Sequence, residues 1–170
     1  MSSMVKIIPV KNRLGQLLHK PGGISRDDAV SAAKGNVETL RGRFVKEIPA
    51  EIAALEALLA AADRKHIGKD ELEAMLGRAG QLLTLSGTFG FGQLDEVVKR
   101  FCDLAMGMIE KDLDQTEPVA VHLRAMRLVC PGGAAISQTE AAHMLESLER
   151  VHRYLGITRI DPDETPAELS

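Results

Sequence analysis

The chain has 170 residues, of which 45% are hydrophobic, 26% charged and 3% aromatic. This length and apolar content suffice for one folded domain with a real core and exclude a chain that is disordered throughout. The 21 basic residues are outnumbered by 24 acidic ones, which disfavours nucleic acid as a partner, because a surface that binds phosphate groups normally carries a basic excess.

The two ends of the chain differ in composition from its middle. Residues 1–23 form a basic, mildly apolar arm that ends in the breaker cluster KPGG, and residues 157–170 read as an acidic tail. No apolar run is long enough to cross a bilayer, and the first ten residues lack the apolar stretch of a secretory signal. We therefore expect a cytoplasmic protein with no membrane contact, whose folded part spans residues 24–156.

Every strong periodicity in that folded part is helical, because its apolar residues recur at steps of three and four. The first helix should begin at Ser25, where Asp28 completes a capping box, and should end or bend at Pro49. A second helix should follow and reach Ala62. The third should stop at Gly87, and a fourth should resume after it.

Two further helices are predicted in the second half of the chain. The fifth begins at Thr116, with Pro118 in its first turn, and the last opens with a capping box formed by Ser137 and Glu140. The sequence has no sustained two-residue alternation, and aromatic residues are scarce; both features would favour a sheet. Six helices with one apolar stripe each predict an all-α antiparallel bundle, with a four-helix core and an additional N-terminal helix or helices.

The connection between the third and fourth predicted helices is rich in small residues. Residues 79–90 read AGQLLTLSGTFG, and each glycine within a helix costs about 0.5–1 kcal/mol relative to alanine. Two explanations stay open. The small residues either let two helices approach closely, or they keep a surface low so that another protein can reach it.

This segment resembles the central hairpin of histidine-containing phosphotransfer (HPt) domains, the helical bundles that relay phosphoryl groups in two-component signalling. The resemblance rests on SGTFG at residues 86–90 followed by Leu94, with Leu82 at the family's buried leucine and Ala79 at the residue before its histidine. The bundle layout extends the likeness over residues 50–155. The resemblance implies a bacterial protein of two-component, phosphorelay or chemotaxis-type signalling.

The chain departs from the HPt pattern where that family carries its chemistry. Gly80 occupies the position of the phosphoacceptor histidine, and Leu83 that of the lysine one turn later. Because neither can attack a phosphoryl group or balance its charge, this register excludes a relay here. The resemblance then implies a non-catalytic pseudo-phosphotransfer module. It would dock a receiver domain or a histidine kinase through Gly77, Gly80, Leu83, Thr84 and Gly87.

Two alternatives to this docking module stay open. An active phosphotransfer protein could use a displaced histidine, for which His122 is the candidate because Arg124 and Arg127 follow it closely. The more ordinary interpretation is that His122 lies at the boundary of the core and is satisfied by solvent or a carboxylate. A structural bundle could instead form a homodimer through its glycine-rich face.

Metal, cofactor and hydrolytic chemistry find no support in the sequence. Cys102 and Cys130 are too few for a disulfide framework and are expected to be buried thiols. His143 and His152 each follow a glutamate by three residues, but they lie nine apart on one helix and therefore on opposite faces. We find neither the carboxylate–amide spacing of a receiver phosphatase nor a phosphate-binding loop. We therefore expect no metal, no cofactor and no enzymatic activity.

Overall fold

The computed structural model describes residues 23–63, 65–132 and 136–157. Within these ranges it contains five helices and no strand, which confirms the predicted all-α class. The helices are α1 (Arg26–Ala61), α2 (Lys69–Phe89), α3 (Gly92–Glu110), α4 (Thr116–Val129) and α5 (Gln138–Tyr154). None of them is long and apolar enough to cross a membrane. Residues 1–22 of the predicted arm, and the predicted tail from residue 158, lie outside the described residues.

Internal contacts divide the chain into two units, Met1–Thr39 and Leu40–Ser170. In the first unit the described residues are all exposed, and α1 begins as predicted beside Ser25, whose Oγ accepts the Asp28 amide hydrogen at 3.0 Å. The buried hydrophobic residues of the described chain all belong to the second unit, where all but Ala141 form one cluster contributed by all five helices and by Ile67, Cys130 and Ile157. The core therefore lies in this second unit.

The prediction that a helix ends at Pro49 is wrong, because α1 continues through this proline to Ala61. The described chain therefore has five helices and not the six that were predicted. Proline lacks the amide hydrogen that the helix would use and costs about 3 kcal/mol in a helix interior. The flanking residues Ile48 and Ile52 are both 0% exposed, and burying two such side chains returns about 1.5–3 kcal/mol each. The free energy gained by burying Ile48 and Ile52 thus exceeds the cost of a proline inside the helix.

A bidentate ion pair joins α4 to the same part of α1. The Arg127 guanidinium donates from Nε and Nη2 to the two carboxylate oxygens of Glu56, at 2.9 and 2.7 Å, and from Nη1 to the Pro49 carbonyl at 3.2 Å. The Arg127 hydrogen bond holds the pKa of Glu56 below its usual value. This pair fixes the orientation of α1 on the bundle at the point where the proline interrupts the helix hydrogen bonding.

Helices α2 and α3 pack against each other as a hairpin with a short turn. We predicted that α2 stops at Gly87, but it continues to Phe89 and ends at Gly90, whose φ is +75°. The Phe91 amide donates to the Ser86 carbonyl at 2.9 Å across this turn, which is the hydrogen bond of a Schellman motif. Gly90 rather than Gly87 terminates the helix because only the former adopts the left-handed conformation that glycine tolerates best.

The predicted starts of the last two helices are confirmed. Helix α4 begins at Thr116. Helix α5 begins after a complete capping box, in which Ser137 Oγ accepts the Glu140 amide hydrogen at 3.2 Å and Glu140 Oε2 accepts the Ser137 amide hydrogen at 2.7 Å. Hydrogen bonding of its carboxylate to the Ser137 amide, and next to the Ser137 hydroxyl, lowers the pKa of Glu140. Both starts depend on residues within four positions of each other, so local chemistry is sufficient to specify them.

Candidate functional site

The five residues predicted to dock a partner lie on one face of α2, and we call them the α2 patch. Gly77, Thr84 and Gly87 are exposed, while Gly80 and Leu83 are half-buried. Steps of three and four residues place them along one side of the helix. The adjoining stripe of α2 is buried in the core through Leu72, Met75, Ala79, Leu82 and Ser86. Gly77, Thr84 and Gly87 therefore face solvent, while Gly80 and Leu83 lie at the edge of the core, against which Leu83 packs.

Polar groups of the α2 patch are satisfied within the hairpin. Thr84 Oγ1 donates to the Gly80 carbonyl at 3.0 Å. The buried Ser86 hydroxyl lies 3.0 Å from the Leu83 carbonyl oxygen and 3.1 Å from Asp95 Oδ1 on α3. None of the five patch residues has a titratable side chain. The patch can therefore contribute contact area to a complex, but it has no acid, base or nucleophile for a reaction.

Close packing of helices does not explain Gly77 and Gly80 of the α2 patch. A Cβ atom placed on Gly77 or Gly80 would meet no atom within 4 Å outside the helix's own backbone. At Gly87 the same atom would approach Asp95 Oδ1 to 3.2 Å. The sequence left two explanations open for these glycines. Close approach of a neighbouring helix finds no support at Gly77 and Gly80, where the missing side chains leave the helix surface open.

We expect Gly77→Ala and Gly80→Ala each to stabilise the protein by about 0.5–1 kcal/mol, because alanine restricts the unfolded chain and has room in the folded one. Gly107→Ala on α3 provides the contrast, since its Cβ would lie 2.7 Å from Ile157 Cγ2. Overpacking of this kind costs about 1–3 kcal/mol. Urea unfolding at neutral pH measures all three variants. Destabilisation by Gly80→Ala would show that an unseen packing constraint operates in the α2 patch.

His122, the alternative phosphoacceptor, is buried rather than at the boundary of the core. It is 0% exposed, its Nδ1 lies 2.8 Å from the Pro118 carbonyl oxygen, and its Nε2 lies 3.1 Å from Nε2 of His152 on α5. A carbonyl only accepts, so His122 Nδ1 carries a hydrogen; in the neutral ring Nε2 is then the acceptor, and His152 Nε2 donates to it. Phosphorylation of His122 would require this pair to open.

Burial keeps the His122–His152 pair neutral. Loss of hydration lowers the pKa of His122 to about 4, although its bond to the Pro118 carbonyl opposes the shift. Burial also lowers the pKa of His152, against the opposing charges of Glu149 and Asp103. The sequence analysis missed this pair. The available signal was the four-residue step from Leu148 to His152, which continues the buried stripe of α5.

The described residues include the two α5 histidines and both cysteines of the chain. His143 is exposed while His152 is buried, so they lie on opposite faces of α5 as predicted. Within the described ranges no group of three or more histidine, cysteine or carboxylate side chains is arranged to hold a metal ion. Cys102 and Cys130 are buried free thiols, as predicted. Burial raises the pKa of Cys102 to about 11, so this thiol is not a nucleophile near neutral pH.

A pair of one imidazole and one carboxylate, which the sequence analysis also missed, lies on the surface. His66 Nδ1 is 2.6 Å from Asp114 Oδ2, and the two side chains are 63% and 54% exposed. The backbone holds them together, because His66 forms an isolated antiparallel bridge with Gln115 and the amide of the buried Ile67 donates to the Asp114 carbonyl at 2.7 Å. The partners are 48 residues apart in sequence, which no local pattern reveals. We call this pair the His66–Asp114 dyad.

A groove between α4 and α5 is a further surface feature that the sequence did not indicate. Its volume is about 490 Å³. Its lining residues come from the start of α4 and the end of α5 and are Gln115, Glu117, Pro118, Val121, Arg150, Val151, Tyr154 and Leu155. No residue of the α2 patch or of the His66–Asp114 dyad belongs to it. Its lining residue Gln115 is nevertheless the bridge partner of His66, so the groove begins beside the dyad.

Within the part of the chain that the structure describes, the α2 patch and the groove between α4 and α5 offer surfaces for binding, and the buried His122–His152 pair and the exposed His66–Asp114 dyad carry imidazole groups. Compared with protein-family models, with curated proteins and with solved structures, the chain matches none.

Proposed function

We propose that the chain is a non-catalytic, HPt-like binding module of bacterial two-component or chemotaxis-type signalling. In this proposal it acts in the cytoplasm and docks a receiver domain of a response regulator, or a histidine kinase, through the α2 patch. It relays no phosphoryl group through that patch. The observation that carries the proposal is the open surface at Gly77 and Gly80, where an added Cβ atom would meet no atom within 4 Å outside the helix's own backbone.

Three properties of the α2 patch support docking. Its helix is anchored by five buried residues of the adjoining stripe, so the surface is rigid and little conformational entropy is lost on binding. Gly77 and Gly80 have no side chain, so a partner can approach the helix backbone closely there. Half-buried Leu83 adds an apolar contact where the HPt pattern has a lysine, which favours a hydrophobic contact over a charged one.

The patch chemistry supports binding over catalysis. A phosphoryl relay needs an exposed imidazole nitrogen and a nearby cation, and the α2 patch has neither. The alternative acceptor His122 has both ring nitrogens engaged, by the Pro118 carbonyl and by His152. The remaining alternative, a homodimer through the glycine-rich face, uses the same low surface and differs from the proposal only in the partner.

The test uses the full chain and a panel of purified receiver domains and histidine-kinase dimerisation domains. We expect saturable binding to at least one of them, measured by calorimetry. Gly80→Arg should weaken that binding at least about tenfold, because a long side chain would fill the docking surface and a loss of about 1.4 kcal/mol corresponds to a tenfold change. Leu85→Arg is the matched control, since Leu85 is exposed and no residue of the α2 patch lies three or four positions from it on the helix.

Three results would contradict the proposal. If the two arginine variants bind the partner with equal affinity, the interface lies outside the α2 patch. If no domain of the panel binds and sedimentation shows a concentration-dependent dimer that Gly80→Arg disrupts, the α2 patch serves self-association instead. Acid-labile phosphate on His122 after incubation with a phosphorylated receiver domain would favour the displaced-histidine alternative.

A further inference from the structure

An apolar stripe follows one face of α1 and is buried over only part of its length. Its members recur at steps of three and four residues and are Val30, Ala33, Val37, Leu40, Phe44, Ile48, Ile52 and Leu55. From Phe44 onward they are buried in the core, whereas Val30, Val37 and Leu40 are 44%, 51% and 54% exposed. We call the exposed part, which is Val30, Ala33, Val37 and Leu40, the α1 stripe. All residues from 23 to 43 are exposed, so no described part of the chain covers the α1 stripe.

The segment that carries the α1 stripe is a poor helix former by itself. Gly35, Gly42 and the β-branched Thr39 all lower its helix propensity. An isolated helix of this length is marginal in water, and most helices in proteins are stabilised by the packing of an apolar face. The α1 stripe is such a face, so burial against a partner would supply the stability that local propensity does not.

We propose that the α1 stripe is the interface of a homodimer, in which α1 of one copy pairs antiparallel with α1 of the other. Apolar residues at the first and fourth positions of a seven-residue repeat are the pattern of a two-helix coiled coil. Val30 and Val37 occupy the first position. Ala33 and Leu40 occupy the fourth. This inference goes beyond the docking function and does not use the α2 patch.

The α1 stripe is complementary to a second copy of itself. A two-fold axis midway between Ala33 and Val37 sets each of these residues against the other one in the second copy. The same axis sets Val30 against Leu40 of the second copy. Each layer of the seam then combines a smaller with a larger side chain, which is how facing positions interdigitate.

Charges along α1 favour the antiparallel orientation. The first turn is acidic through Asp27 and Asp28, and the far end of the α1 stripe is basic through Arg41 and Arg43. Antiparallel pairing brings the acidic end of each copy to the basic end of the other, whereas parallel pairing brings like charges together. Arg43 Nε lies 3.0 Å from Glu47 Oε1, but both side chains are exposed, and such a surface pair is weak.

The size of the interface predicts a weak dimer. Residues 26–43 span about 27 Å of helix, and each copy contributes the four side chains of the α1 stripe. This is less than a standard stable interface buries. Lys34 also lies near the two-fold axis and repels its own copy. We therefore expect monomer and dimer to exchange at micromolar concentrations.

Sedimentation equilibrium of the full chain, from low micromolar to submillimolar concentration, tests the dimer. Val37→Glu should weaken it at least about tenfold, because the seam would bury an unpaired charge. Thr39→Glu is the matched control, since Thr39 is exposed and lies about 200° around the helix from Val37. Both substitutions are at exposed positions, and circular dichroism with urea unfolding checks that both variants fold.

Asp27→Asn tests the orientation. It removes an attraction between the ends of the antiparallel pair and should weaken the dimer about threefold, and added salt should act in the same direction. In a parallel pair the same substitution removes a repulsion between like charges. An unchanged or tighter dimer would therefore overturn the antiparallel arrangement.

Two further results would overturn the inference. A chain that stays monomeric at every concentration leaves another protein, or another segment of this chain, as the occupant of the α1 stripe. A dimer that Val37→Glu leaves intact has its interface elsewhere. Gly80→Arg separates this inference from the proposed function, because it should weaken docking through the α2 patch and leave the α1 dimer unchanged. A dimer that only Gly80→Arg disrupts belongs to the α2 patch.

Discussion

Lowering the pH from about 7 to about 4 should destabilise the protein by about 3 kcal/mol through His122 alone. The ring is buried neutral and its pKa falls from 6.5 to about 4 in the folded state, while the unfolded chain keeps the ordinary value. The unfolded state therefore binds more protons between these two values, so the stabilisation is complete above about pH 6.5 and is lost as the pH falls towards 4. Each unit of pKa difference corresponds to about 1.36 kcal/mol.

The groups around the pair determine how the second histidine adds to this effect. The pKa of His152 is lowered as well, mainly by burial, so its contribution has the same sign. Charges on both neighbouring elements act on the pair. Arg100 on α3 opposes protonation of both rings, while Asp103 on α3 and Glu149 on α5 favour protonation of His152. The first proton can enter on Nδ1 of His152 and leave the hydrogen bond between the two Nε2 atoms in place. The second proton puts a hydrogen on both facing nitrogens, so it should break the pair and weaken the contact between α4 and α5.

Urea unfolding between pH 4 and 8 measures this dependence, and NMR titration of the ring protons measures the two pKa values directly. His143→Gln is the control, because that side chain is exposed and its removal should leave the profile unchanged. His122→Gln should flatten the profile relative to the wild type. A His122 pKa near 6.5 in the folded protein would show that the ring is hydrated, which would also reopen its role as a phosphoacceptor.

Phe101→Ala should be among the most destabilising single substitutions, with a loss of about 3–5 kcal/mol. Phe101 on α3 is 0% exposed, and truncation of a buried phenylalanine loses both its burial and the packing around the cavity left behind. The ring centroid lies 6.4 Å from that of His122, so the cavity should also admit water towards the histidine pair. We therefore expect the pKa of His122 to rise in this variant and the pH dependence to weaken.

Urea unfolding at neutral pH checks the loss of stability, and Phe101→Leu provides a milder variant if the alanine form does not fold. Leu128→Ala is the matched control, since Leu128 is 49% exposed and a substitution there should change stability by less than about 0.5 kcal/mol. A loss below about 1 kcal/mol for Phe101→Ala would mean that this part of the core collapses to fill the space.

Features that depend on neighbouring residues were predictable from the sequence. The capping box of Ser137 and Glu140 brings together groups three positions apart, and apolar steps of three and four residues are sufficient to indicate amphipathic helices. The all-α class followed from these local patterns. The buried stripe of α2 followed as well, because its residues recur at steps of three and four.

Only the tertiary structure decided the features that depend on distant residues. Pro49 is retained inside α1 because Ile48 and Ile52 are buried on either side of it, and their packing is invisible to local propensity. His122 meets His152 across 30 positions, and His66 meets Asp114 across 48. The sequence by itself therefore determined the helices and the face that α2 buries, since these follow from local hydrogen bonding and periodicity. Packing between helices determined which imidazole is buried neutral and which is presented to solvent, because burial and long-range partners exist only in the folded chain.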